Sequence, residues 1–236
     1  MKSKQNIPRR VFLVAAAAAG GGACLSGCAS AGNQSEEGKL QEDEVSPAED
    51  LMREHGVLKR VLLVYREALR CLAASQPLPP EPVADGAHII RDFIEEYHEK
   101  LEEDYLFPRF RRAGKLVELV DILTRQHQAG RQLTDLTLRF ATAQAFKDPP
   151  QRAQFVQSLE KFIRMYEPHE AREDTVLFPA FRGIVSPHEY DALGEDFEKK
   201  EHQLFGEEGF EKMLDRVANI EKELGIYDLA QFTPKL

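Results

Sequence analysis

The chain has 236 residues, with 31 Lys and Arg against 40 Asp and Glu, a net charge of −9 and a mean hydropathy of −0.43. That acidic balance argues against nucleic acid or an anionic lipid surface as a partner. With three cysteines in all, Cys24, Cys28 and Cys71, the chain is not a disulfide-dense secreted scaffold.

Lys2, Lys4, Arg9 and Arg10 open the sequence, an Ala- and Gly-rich apolar run follows from Val11 to Ala23, and Leu25-Ser26-Gly27-Cys28 closes it. This order is expected of an export signal over residues 1–27, because the apolar run is too short to cross ~30 Å of hydrocarbon. Arg9 to Leu13, RRVFL, resembles a twin-arginine signal, from which Pro8 and Val14 depart. LSGC resembles a lipobox, which implies lipid on Cys28 and a domain anchored to the membrane on its periplasmic or extracytoplasmic side. Loss of residues 1–27 removes four cations and no anion, moving the net charge from −9 to −13. It also removes Cys24 and leaves Cys71 alone, beside Leu69 and Leu72, where it reads as a small buried hydrophobe. Residues 28–45 are polar and acidic, as expected of a flexible tether.

Helical periodicity begins at Ser46-Pro47-Ala48-Glu49, a capping box with Pro at the first helical position. The first helix carries Leu51, His55, Leu58, Leu62, Tyr65, Leu69 and Leu72 at alternating spacings of four and three, a bundle seam with a histidine in it. Gln76 to Pro82, QPLPPEP, reads as a loop. The second helix is expected over about Asp85 to Leu106, with Ile90, Ile94, Leu101 and Tyr105 as its apolar positions and His98 and Glu102 at their edge. The third, about Lys115 to Phe146, has Leu116, Val120, Leu123, His127 and Gly130 in one register. The fourth opens near Pro149-Pro150 and aligns Phe155, Leu159, Phe162, Tyr166, His169, Glu173 and Val176. Its Pro168 is expected to kink the helix and aim His169. These elements predict an all-α, antiparallel four-helix bundle over residues 46–184. A second capping box, Ser186 to Glu189, opens a more charged helical extension over residues 185–236, packed outside the bundle.

The chain repeats itself. HEKLEEDYLFPRF, His98 to Phe110, returns as HEAREDTVLFPAF, His169 to Phe181, and LMREH, ending at His55, returns as LTRQH, ending at His127. Each half therefore supplies a lone His and then His-x-x-x-Glu, whose two side chains share a helix face. Burying His55, His98, Glu102, His127, His169 and Glu173 in one core costs several kcal/mol per group, on the order given for buried ions, unless something compensates them. Two divalent cations would do so, and imidazole with carboxylate suits Fe, Mn or Zn. Gly56 and Gly130, beside or one turn beyond the lone histidines, admit a gas or allow close helix packing. His88, His188 and His202 lie off the repeat and read as surface residues. Tyr97, Tyr105 and Tyr166 read as core residues outside the metal shell.

Over Ser46 to Ile184 these residues resemble the hemerythrin-like, or HHE, cation-binding domains. The resemblance implies a four-helix bundle holding a non-haem di-iron centre, with Glu102 and Glu173 bridging and histidines terminal. Oxygen-carrying members have a further histidine four residues after the third-helix histidine, where this chain has Arg131. The pattern is closer to di-iron proteins of iron-centre repair and nitric oxide response, without the cysteine-bearing N-terminal domain that many of those carry. Three readings follow: a membrane-tethered module that binds or senses O2 or NO or handles iron, an enzyme that reduces NO or peroxide with an electron donor, and a metal-free scaffold lipoprotein. The ferritin-like pattern, Glu-x-x-His, has the opposite order and a different spacing.

Overall fold

A computed structural model describes residues 45–234. The expected export signal, Cys28 and most of the expected tether lie outside the described residues. From Ser46 onward the chain forms one unit, and among the described residues it is helical without strands.

Helix α1 spans Pro47–Ala73, and the Ser46 hydroxyl caps it by accepting from the Glu49 backbone N–H at 3.3 Å. Helix α2 covers 80–113 and starts five residues earlier than its apolar pattern, at Pro80. Pro80 and Pro82 lie in the first turn, where backbone N–H groups have no intrahelical acceptor, so the QPLPPEP stretch is loop only up to Pro79. Gly114, at φ 64°, ends α2, and Leu116, at φ 52°, precedes α3, Val117–Phe140, instead of joining its seam. Helix α3 is also shorter than expected at its far end. Thr142 turns extended and caps a separate short helix, α4, Ala143–Lys147, by accepting from the Ala145 N–H at 3.1 Å. Helix α5 covers 149–181, capped by the Asp148 carboxylate, and runs on through Pro168 without interruption.

The irregular turns of α2 and α5 lie elsewhere, and they repeat. Both helices change to π-helical turns at the repeated glutamate, over Glu102–Leu106 and Glu173–Leu177. The N–H of Phe107 reaches back five residues to the Glu102 carbonyl, and that of Phe178 to the Glu173 carbonyl. Pro108 and Pro179 follow at once, and a proline ring crowds the carbonyl four residues back, a contact that the wide turn relieves. Each π turn shifts the buried face by one residue. Leu106 and Leu177 are buried where a regular helix would bury Tyr105 and Val176, which are only partly covered.

A longer π-helical stretch, Ile90–His98, precedes the site in α2. On a regular helix a spacing of four drifts about 40° per step. The wider turn keeps Ile90, Ile94, His98 and Glu102 aligned, all at 2% exposure or less. His98 and Glu102 therefore point into the core and not to its edge.

Helices α1, α2, α3 and α5 form the bundle, α1 against α2 and α5, and α3 against both α2 and α5. Tyr65, Phe93, Phe155, Phe162 and Phe181 fill its interior, each worth about 1.5–3 kcal/mol of burial for a side chain of this size. Cys71 is buried, as its neighbours imply. Helices α6, Pro187–Phe205, and α7, Gly209–Glu223, pack on α1, and α7 also on the start of α2. Phe197, Phe210, Met213, Val217 and Ile220 join the same apolar core as the bundle, so these helices extend the core despite their charged outer faces.

Candidate metal centre

The six repeat residues meet in the middle of the bundle, each at most 3% exposed. Glu102, His127, His169 and Glu173 can place one ligand atom each within 4.8 Å of one another, and His55, His98 and Glu102 do the same. His55 and His98 approach through their Nε2 atoms at 3.1 Å. Oε2 of Glu173 lies 3.4 Å from His55 Nε2 and 3.1 Å from His169 Nε2, while Oε2 of Glu102 lies 3.3 Å from His127 Nε2. Hairpin α1–α2 thus supplies one histidine pair and hairpin α3–α5 the other, with the two carboxylates between them. His88 and His188 are exposed, and His202 is partly covered and apart from these clusters.

Each histidine is held from behind. His55 Nδ1 bonds Asp174 at 2.7 Å, His98 Nδ1 bonds Glu54 at 2.7 Å, His127 Nδ1 bonds Glu103 at 3.1 Å and His169 Nδ1 bonds Gln126 at 2.9 Å. Carboxylate and amide oxygens only accept, so Nδ1 carries the proton and the Nε2 lone pair is left for the centre. The four partners obey the repeat. The residue before a lone histidine holds the histidine of the next helix, and the residue after a repeated glutamate holds a lone histidine. Sequence reasoning missed all four, although Glu54 and Gln126 lie inside the repeated LMREH and LTRQH, and Glu103 and Asp174 inside the repeated thirteen-residue phrase. Phe107 and Phe178 complete the pattern by stacking on His127 and His55, with ring centroids 5.4 and 5.5 Å apart.

Both oxygens of Glu102, both of Glu173 and Nε2 of His127 are buried without a hydrogen-bond partner. Buried polar atoms are almost always paired, so donor atoms left converging in this way fit bound cations. In the metal-free cluster the protons are shared unevenly. Burial, and then the charge of Glu173, push Glu102 well above the usual carboxylate range. Glu173 is held low because His169 and His55 outweigh its burial. Burial alone would lower His55, yet the bond to Asp174 and the nearby Glu173 carboxylate raise it to about 9, whereas burial takes His127 down to about 4 despite Glu103.

Arg131, at the place of the fifth histidine, is no ligand. Its guanidinium spans Glu99 at 2.9 Å and Glu103 at 2.8 Å, and so steadies the carboxylate behind His127. Tyr166 donates to the other oxygen of Glu99 at 2.6 Å and lies against His169. Gly130 makes room for that hydroxyl, since a Cβ there would meet it at 2.0 Å, whereas Gly56 faces open space. Gly130 therefore serves close packing.

An all-helical bundle with a buried histidine and carboxylate cluster is a metal-binding helical protein. The hemerythrin HHE cation-binding domain family matches the chain over residues 46–181 and again over 118–236, and the chain belongs to that family. Uncharacterised proteins of Mycobacterium tuberculosis (strains H37Rv and CDC 1551) and Mycobacterium bovis are 49% identical to it over 235 residues, covering 97% of this chain and 91% of each relative. No solved structure matches the chain.

Proposed function

We propose that the chain is a di-iron protein that binds or senses a small diatomic ligand, O2 or NO, or handles iron at a membrane surface. The carrying observation is the ligand count. Two histidines at each end and two carboxylates between them leave every cation short of a full octahedral set. When bound, an iron pair supplies the open positions and the electrons that such ligands require. The chain's own residues do the rest. Glu54, Glu103, Gln126 and Asp174 fix the imidazoles, and Phe107 and Phe178 keep water from the lone histidines. Arg131 in place of a fifth histidine keeps the two ends chemically alike, which favours ligand binding or sensing over reversible oxygen carriage.

Iron-loaded full chain exposed to NO or O2 is expected to develop a stable new absorption band without consuming further gas. Sustained consumption with an added electron donor would replace binding by turnover, and an unchanged spectrum would contradict the reading. Export and a lipid on Cys28 remain part of the proposal. Among the described residues no helix is long and apolar enough to cross a membrane, and Cys28→Ser is expected to release the chain from the membrane fraction.

A further inference from the structure

The two halves of the bundle repeat one more device, and there they differ. Four residues after each lone histidine stands a cation, Lys59 after His55 and Arg131 after His127. Directly after each of the other two histidines stands a buried glutamate, Glu99 at 1% exposure and Glu170 at 3%. On one side Arg131, only 22% exposed, grips Glu99 at 2.9 Å and Glu103 at 2.8 Å, and Tyr166 closes on Glu99 from behind. That side is held by two close ion pairs and the Tyr166 hydrogen bond, although Glu99 Oε2, like Glu170 Oε2, accepts no hydrogen bond.

On the other side Lys59 is 52% exposed and lies 4.0 Å from Glu170 and 3.5 Å from Asp174. Glu170 Oε2 is buried without a hydrogen-bond partner. Asp174, 21% exposed, reaches from the surface, through Oδ2, to His55 Nδ1, through Oδ1. Glu170 stands one helical turn before the ligand candidate Glu173. Carboxylate oxygens therefore step inward from the part-exposed Asp174 to the buried Glu170, with the exposed Lys59 ammonium close to both.

A cation that must reach a buried site needs oxygen ligands along its way and a plug that can swing aside. Only the Lys59 side offers both, because a largely buried guanidinium paired with two carboxylates gives way far less readily than an exposed lysine. We propose that divalent cations enter the centre through the Lys59 face, with Glu170 and Asp174 as a transient binding site and the Lys59 ammonium as its displaceable plug. This inference rests on the metal-centre reading.

The test is the rate of cobalt(II) uptake by metal-stripped full chain in rapid mixing, read from the visible absorption of the bound ion. Acidic clefts raise local cation concentration and on-rate by about tenfold or more. Glu170→Gln is accordingly expected to slow uptake about tenfold while the final amount bound stays unchanged. Glu99→Gln, the matching change on the Arg131 side, is expected to load at the wild-type rate, and Lys59→Met to load faster and with stronger salt dependence. The entry route is overturned if Glu99→Gln slows uptake as much as Glu170→Gln, or if neither Glu170→Gln nor Lys59→Met changes the rate while wild type loads normally. Should wild type bind no cobalt, the metal centre itself falls, and the route with it.

Discussion

Gly130 and Gly56 stand near corresponding points of the repeat and separate two roles that glycine can have in a helix. Gly130→Ala drives a methyl into the Tyr166 hydroxyl, which is buried and bonded to Glu99, and overpacking of this kind costs about 1–3 kcal/mol. Gly56→Ala meets nothing within 4 Å and is expected to stabilise by up to about 1 kcal/mol through helix propensity. Thermal unfolding of the two variants, moving in opposite directions, checks the placement of Tyr166. Behind the histidines, Glu54→Ala removes the acceptor that fixes His98. Loss of such an orienting partner is expected to weaken metal binding by about 10–100-fold, measured by competition with a chelator.

At the scale of elements, most helices were legible because their apolar residues recur at spacings of four and three. The π turns were not. A one-residue widening has no signature in a periodicity that assumes 3.6 residues per turn, so Tyr105 and Val176 were expected where Leu106 and Leu177 are buried. The nearest signal was the repeated Phe-Pro at 107–108 and 178–179, whose physical sense appears only with the carbonyl four residues back in view. The charged faces of α6 and α7 likewise hid their core residues. Phe197, fully buried with Tyr105 packed edge-on at 5.4 Å, is expected to cost about 3–5 kcal/mol when cut to Ala. A melt that moves α6 independently of the bundle, leaving the bundle's own transition unchanged, would show that these helices are a separate unit.

For the whole molecule, the buried charges set a pH dependence whose sign follows from proton counts. Burial raises Glu99 to about 8 and Glu170 to about 7, and the carboxylates around His55 raise it to about 9 against its burial. From about pH 6.5 to 8 the folded, metal-free chain therefore holds more protons than the unfolded one, and stability falls as pH rises. On the acid side Glu103 is held down to about 2 because its bonds to His127, Lys100 and Arg131 outweigh its burial. Its contribution is present above the ordinary carboxylate value and is lost as pH falls toward about 2. Metal-free thermal midpoints across pH 6.5 to 8 should decline, and bound metal should lessen that decline because ligation displaces the His55 proton. The six converging side chains were legible in the sequence because a repeat placed them twice at equal intervals. Their orienting partners were not, because a polar residue beside a ligand reads as an ordinary solvated position until the facing helix is known.

The most direct test is metal analysis of the full chain purified without added metal, beside His98→Ala and His169→Ala. Wild-type chain is expected to carry two metal ions, and each variant to lose at least one. Unchanged metal content in both variants would contradict the centre assigned to His55, His98, Glu102, His127, His169 and Glu173.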